Sequence, residues 1–406
     1  MKSKPFKKIT CIILTILLTV VMLNTGTAQA AAGIVYEYSK MIESDGNIYY
    51  IPSVEGSSYN IYRLNPKTGA KTQIASSDTY ITALVAYNNT LYYTSDNAKG
   101  TGSTTYSVSL DGGSPHTLSK GVVCYADNSG IYYTIENEKN CLLYRKSYAG
   151  GKDVLLYKGN SSLKYIKNIG STLYFGQYKD SPSRIELLSL KSGKAKPALL
   201  SSLKLKAEPD TDNPPAISDV VSIKGNLYYQ YGTYQGSGSF WYGTLVKFDT
   251  AAKKSTVITD QMIVPSISYS GSSIYFDEMQ STYKHYSYNI TSGKLTTFTC
   301  PVSDTEYYNV MGSYAYKASV NKKSITVSRF TAGTNNKNLK KDFIKIPYPQ
   351  NSKLSYTASI TSLGQYFLVP VECVDYNDST YGWRGKIISI KWYVTDHNGK
   401  ILTHFE

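Results

Sequence analysis

The chain is poor in the residues that most catalytic centres need. Among its 406 residues there are 4 histidines and 5 cysteines. No C-x-x-C pair occurs, so no two thiols stand at metal-ligand or redox spacing. G-x-S-x-G, the P-loop, H-E-x-x-H and the dinucleotide fingerprint are absent as well. A nucleophile-elbow hydrolase, a phosphate-cradling fold and a zincin are therefore not indicated. No window keeps an apolar period of 3.6 residues for more than a turn or two, which argues against helices. Acidic residues are few too: 29 against 43 basic ones, a net charge of +14.

Long apolar runs are missing with one exception, Ile9–Leu23. It follows MKSKPFKK, which carries four lysines, and precedes Ala28-Gln29-Ala30. A basic n-region, a short apolar stretch and a small-residue site read as a signal peptide over residues 1–30. The run is short for a bilayer span, which takes about 20 residues. Cys11 lies near its start, away from the position of a lipid-modified cysteine. The expectation is an exported, soluble chain with cleavage near Ala30 and one domain over 31–406. Loss of the four leader lysines takes the net charge from +14 to +10. Cys124, Cys141, Cys300 and Cys373 remain. Four cysteines allow three disulfide connectivities; buried free thiols are the simpler reading in a chain able to bury a large core.

What the chain has in excess is tyrosine, 40 residues. Much of the excess sits in one recurring strand-like motif: GNIYYI at Gly46, NTLYYT at Asn89, GIYYTI at Gly130, STLYFG at Ser171, GNLYYQ at Gly225 and SSIYFD at Ser272. GSYAYK at Gly312 and GQYFLV at Gly364 are weaker copies. Around the third copy, VVCYA, IYYTI, LLYRKSY and DVLLY are separated by turn residues, a meander of four antiparallel strands, A to D. A turn between C and D recurs eight times, from NPKTG at Asn65 to DHNG at Asp396, almost always with glycine. The anchoring residues of strand B are Tyr49, Tyr92, Tyr132, Tyr174, Tyr228 and Tyr275, with Ala315 and Phe367 in the weak copies. Their spacing of 40–54 residues, with four strands per unit, predicts an all-β fold, a β-propeller of eight four-stranded blades. The tyrosines then belong between blades, where aromatic rings bury large areas. Residues Gly33–Tyr38 are expected to help clasp the seam between blades 8 and 1.

The I/L-Y-Y/F strand followed by a K-x-G or D-G-G turn resembles the YWTD-type propellers of low-density lipoprotein receptors. It is similar also to bacterial exported propellers of unknown function and to TolB-like propellers. The resemblance spans nearly the whole mature chain, but W-T-D itself is missing: IYYTI keeps the leading aromatic and the threonine. It implies architecture, and usually six blades, where eight repeats are counted here.

In a propeller the D–A and B–C connections emerge on one face. Four long interruptions of the repeat fall there, 201–219, 231–243, 346–354 and 372–385, while the opposite face has mostly short turns, the lysine-rich TNNKNLKK (334–341) excepted. Function resides on loops carried by a rigid scaffold, so this is the face to search. Two of the interruptions are aromatic. One has Tyr231, Tyr234, Phe240, Trp241 and Tyr242; the other has Tyr376, Tyr381, Trp383 and Arg384. Such side chains either pack within their own loop or bind a ligand, and flat rings beside polar groups suit sugars or a protein partner. Tyr234, Trp241, Tyr242, Tyr381, Trp383 and Arg384 are the ligand-binding candidates. Glu208, Asp210, Asp212 and Asn213 form an acidic group in which Asp210 and Asp212 are weak calcium candidates, without the EF-hand pattern.

An enzymatic reading rests on His285 near Asp277 and Glu278, a histidine base flanked by carboxylates, as in a polysaccharide lyase or glycoside hydrolase. The lysines are scattered through turns, not gathered in a nucleic-acid module. For an exported protein, anionic envelope polymers are the natural counter-charge. Three expectations follow: a non-catalytic binding module for an extracellular glycan, anionic envelope polymer or protein; an extracellular propeller enzyme; or a rigid assembly platform. No cofactor, no nucleic acid and a monomer are expected.

Overall fold

The computed structural model describes residues 35–36 and 40–406, apart from 53–58, 98–101, 138–139, 160–162, 164, 181, 206–214, 236–239, 261–266, 279–283, 299–308, 322–323, 335–336, 348–353 and 376–385. Every described element is a strand. Eight antiparallel sheets of the order A-B-C-D succeed one another along the chain, at 41–76, 81–120, 122–159, 165–204, 216–259, 268–298, 309–347 and 355–405. They form a ring, an eight-bladed β-propeller.

Local chemistry sets each blade. The A–B hairpins close in two residues with left-handed backbone, as in Asp45-Gly46 (φ 50° and 76°) and Asn88-Asn89 (46° and 56°). Asn, Asp and Gly tolerate that region, and its twist matches that of the flanking strands. Between turns, successive residues point to opposite faces of the sheet. In the pair Tyr49-Tyr50 the first ring therefore faces blade 2, with Leu91 and Tyr93, and the second faces blade 8, with Leu368 and Phe405. A blade has two apolar faces and cannot cover both alone. Eight buried clusters result among the described residues, one at each interface around the ring.

The two recurring markers of the sequence meet across these interfaces. Tyr49 donates its hydroxyl to the carbonyl of Leu110, in the C–D turn of blade 2 (3.3 Å). Tyr132 of blade 3 likewise lies against Gly193 in the C–D turn of blade 4. Tyr275 of blade 6 lies against Gly333 of blade 7, where an added Cβ would come within 2.8 Å of the ring. The strand-B tyrosine of one blade thus needs a slim turn in the next.

Two details differ from the sequence reading. In the weak copies the residue facing the next blade is Tyr316 in blade 7 and Leu368 in blade 8, not Ala315 and Phe367. Ala315 packs back on blade 6 and Phe367 back on blade 7. A one-residue slip in a strand exchanges its faces, and these copies have an aromatic one place early. The described part of the N-terminal segment does not lie at the seam. Val35–Tyr36 pairs with Tyr165–Ile166, on the free edge of the inner strand of blade 4, making that sheet five-stranded. Blades 8 and 1 close by side chains instead. Tyr50 packs against Phe405 with tilted rings, centroids 4.2 Å apart, and Tyr366 donates to the carbonyl of Gly46 at 2.8 Å.

Candidate functional site

The two faces of the ring are built differently. The face carrying the A–B turns is closed by the two-residue hairpins described above. The opposite face carries all four long interruptions, and at two of them the structure replaces an expected loop by strand. Blade 5 has strands of ten residues, Asn226–Gln235 and Phe240–Asp249, paired to the end at Gln235↔Phe240. Its inner strand reaches Gly232, and its outer strand reaches Leu245. Beyond those points Thr233–Gln235 and Phe240–Tyr242 form a two-stranded ribbon. Register sets Tyr234 opposite Trp241 and Thr233 opposite Tyr242. Blade 8 also has ten-residue strands, Tyr366–Asp375 and Lys386–Thr395, but there the inner strand Ser355–Ala358 stays paired up to Val374, so the hairpin keeps its inner neighbour. Elsewhere strand B has four to nine residues. The two long hairpins stand three blades apart on the same face. Tyr381, Trp383 and Arg384 belong to the connection 376–385 between the long strands of blade 8, outside the described residues. Asp210 and Asp212 lie outside them too, as does the leader.

His285 is in strand C of blade 6 (Lys284–Asn289), directly opposite Asp277 in the ladder, while Glu278 opposes Lys284. The backbone therefore brings His285 and Asp277 side by side. His285 is only 2% exposed. Residue alternation from Tyr275 turns it toward blade 7, whose facing side holds a residue the sequence reading passed over. Lys317 is 1% exposed and follows Tyr316, so it faces blade 6. It occupies the place of Tyr50, Tyr93, Tyr133, Phe175, Tyr229 and Phe276 in the first six blades. The signal was visible in GSYAYK: a lysine where the repeat demands an aromatic. Lysine is almost never buried without a compensating group. A histidine and a lysine buried on facing sides of one interface make the blade 6–7 contact more polar than a purely packed one.

Nearer the axis, Asp219 ties three inner strands together. It accepts from Lys167 of blade 4 (2.6 Å) and from the backbone amide of Ile267 ahead of blade 6 (2.9 Å). Among the described residues no group of three or more His, Cys, Asp or Glu is placed to hold a metal. Cys124, Cys141 and Cys373 are buried free thiols. Burial pushes the Cys141 thiol up to about 12 and raises that of Cys124 further, so neither is a nucleophile near neutral pH. Cys300 lies outside the described residues.

The basic excess has a structural home. Lys71, Lys120, Lys158, Lys204, Lys254, Lys340, Lys341 and Lys345 are exposed on the outermost strands of six blades. Lysine on a sheet edge discourages pairing with other chains, so part of the positive charge protects edges.

No family model matches the chain, and no curated protein does. Solved structures do. A prolyl endopeptidase aligns with a TM-score of 0.50 at 11% identity over 91% of this chain, which spans 55% of that protein's length. A polysaccharide lyase, an ulvan lyase, aligns with a TM-score of 0.47 at 9% identity, covering 93% of this chain and 96% of its own. The β-propeller domain of the Trilobed protease from Pyrococcus furiosus gives 0.41 at 10% identity, over 80% of this chain and 95% of that one. Likeness at such identities establishes the propeller fold and nothing more.

Proposed function

We propose that this protein is an exported, non-catalytic binding propeller whose ligand docks on the face bearing the long hairpins of blades 5 and 8. The observation that carries the reading is the asymmetry of the faces. One carries mostly short turns, while on the other the hairpin of blade 5 runs past its blade with Tyr234 set opposite Trp241, and blade 8 has a second ten-residue hairpin. In the blade 5 ribbon, strands without neighbours on both sides give up ladder hydrogen bonds, and a ligand is a reason to keep them. A glycan or anionic envelope polymer lying between the ribbons, or a protein gripping them, fits Tyr234, Trp241, Tyr242, Tyr381, Trp383 and Arg384. Kinship with the YWTD-type and TolB-like propellers, secretion with the leader removed, and a monomeric state belong to the same proposal.

The test is retention of the protein on insoluble cell-envelope material and on immobilised glycans, beside the Trp241→Ala/Trp383→Ala double variant. The expected result is retention that falls at least tenfold in the double variant. Undiminished retention overturns this version of the site. The ladder pairing of His285 with Asp277, at the interface that also buries Lys317, favours one second reading, an extracellular polysaccharide lyase or glycoside hydrolase. Polymer turnover that disappears in His285→Ala would establish it in place of the first.

A further inference from the structure

The C–D connections share a face with the A–B hairpins, and seven of the eight carry an exposed lysine: Lys67, Lys152, Lys194, Lys253, Lys294, Lys337 and Lys400. Blade 4 adds a second, Lys196; the connection of blade 2, LDGGSP, has none. Among the described residues none of these lysines is in an ion pair. The three carboxylates in the same connections are all engaged. Asp111 pairs with Arg63 at 2.5 Å and Asp153 with Lys146 at 3.0 Å. Asp396 accepts from the amides of Asn398 and Lys400, both at 2.9 Å. The long interruptions on the opposite face instead hold Glu208, Asp210 and Asp212 in one and Glu372, Asp375 and Asp378 in another. Apolar side chains border the same lysines. Tyr148, Val154, Leu155, Leu199, Tyr269 and Leu295 are exposed on this side, six of the eleven large apolar or aromatic side chains exposed among the described residues. Val154, Leu155, Leu199 and Leu295 are each the first or second residue of a strand D, next to the turn. Tyr148 stands in the turn of blade 3, its ring parallel to that of Tyr87 with centroids 6.0 Å apart. Four of the six lie in the adjacent blades 3 and 4, beside Lys152, Lys194 and Lys196.

We infer that this face is a docking surface for a lipid bilayer bearing anionic headgroups. A lysine close to an anionic leaflet strengthens binding by about fivefold, and the effect falls off within a Debye length. Only a flat array brings many lysines within that reach at once. Short connections provide one: A–B hairpins of two residues and C–D turns of four to eight keep the lysines of seven blades close to one plane. Charges spread around a ring match a plane of negative charge, whereas a single linear polyanion would cross only a few of them. The apolar rim of blades 3 and 4 points the same way. Leucine and tyrosine beside lysine suit the boundary between headgroups and acyl chains, where apolar side chains enter and ammonium groups stay with the phosphates. Docked so, the protein holds the long hairpins of blades 5 and 8 away from the bilayer. The surface lies opposite the ligand face proposed above and shares no residue with it, so each stands or falls apart from the other.

The test uses the whole mature protein and flotation with vesicles of phosphatidylcholine, alone or with about one third phosphatidylglycerol. Partition onto the mixed vesicles is expected to exceed that onto pure phosphatidylcholine at least twentyfold and to weaken as salt is raised. Lys152→Gln/Lys194→Gln/Lys196→Gln and Lys67→Gln/Lys294→Gln/Lys400→Gln change exposed turn residues on separate blades. Each should keep the circular dichroism and thermal midpoint of the parent and lose at least twentyfold in partition. Leu155→Ser/Leu199→Ser should lose about tenfold on the mixed vesicles while its retention on immobilised polyphosphate stays that of the parent. Trp241→Ala/Trp383→Ala should bind vesicles as the parent does. Equal binding to both kinds of vesicle, undiminished binding in either lysine variant, or unchanged partition of the leucine variant overturns the inference. So does retention on polyphosphate without vesicle binding, because the face would then serve a soluble polyanion. Loss of vesicle binding in the tryptophan variant overturns it as well, because the opposite face would then meet the lipid.

Discussion

Tyr49 and Tyr50 are neighbours in one strand, are both almost fully buried, and should respond in opposite directions to the same one-atom change. Tyr50 is 0% exposed, packed on Phe405 at the seam and 5.8 Å from Tyr62. Its hydroxyl is buried and has no hydrogen-bond partner. Burying such a group unsatisfied costs about 1–3 kcal/mol. Tyr50→Phe removes the oxygen and leaves the ring contacts, so a gain of about 1 kcal/mol or more is expected. The hydroxyl of Tyr49 donates to the Leu110 carbonyl across the blade 1–2 interface. Tyr49→Phe loses that bond, a cost of about 0.5–1.5 kcal/mol. Arg63 also reaches the same carbonyl at 3.5 Å, which keeps the loss toward the lower end. Urea unfolding of the two variants beside the parent reads both signs: the midpoint rises for Tyr50→Phe and falls for Tyr49→Phe. If Tyr50→Phe is destabilised as much as Tyr49→Phe, the seam is not closed by a dry aromatic contact and the account of ring closure fails.

Gly293 and Gly333 both sit in C–D turns at φ +69°, yet only at Gly333 would a new Cβ meet a ring. Gly333→Ala should therefore destabilise by about 1–3 kcal/mol more than Gly293→Ala, since overpacking adds to backbone strain; equal midpoints in urea would contradict the tyrosine-on-turn contact. Burial pushes the phenols of Tyr93, Tyr125, Tyr228 and Tyr229 up to about 12. An unfolded phenol ionises near 10. The stability these groups contribute is full below pH 10 and is lost as pH rises from there through about 12. Absorbance at 295 nm should show their ionisation coinciding with the loss of β-sheet circular dichroism; a full phenol titration near pH 10 with the sheet intact would refute the burial.

Much of the architecture was readable because both of its determinants are local. Alternation along IYYT marks two buried faces, and Asn, Asp, Ser and Gly between the runs mark hairpins whose backbone those residues favour. Counting such units gave eight before any fold was known, and eight blades are present. The candidate site was legible only as a direction. Strand order sends the B–C and D–A connections to one face, so the face follows from sequence. That YGTYQGSGSFWYG rises as a ladder to Gln235↔Phe240, and not as a loop, depends on main-chain pairing that its composition does not announce.

The sequence by itself determined the strands, the turns, the number of blades and which face is elaborated, because each follows from nearest-neighbour stereochemistry and a period of two. The tertiary structure decided what depends on residues far apart in the chain. It assigned the strand-B tyrosines their neighbours and moved the facing residue from Ala315 to Tyr316 and from Phe367 to Leu368. It paired Val35–Tyr36 with an inner edge in blade 4, and it buried Lys317 and His285 at one interface. Packing between blades selects among registers and partners that look alike locally, so only the closed ring could choose among them.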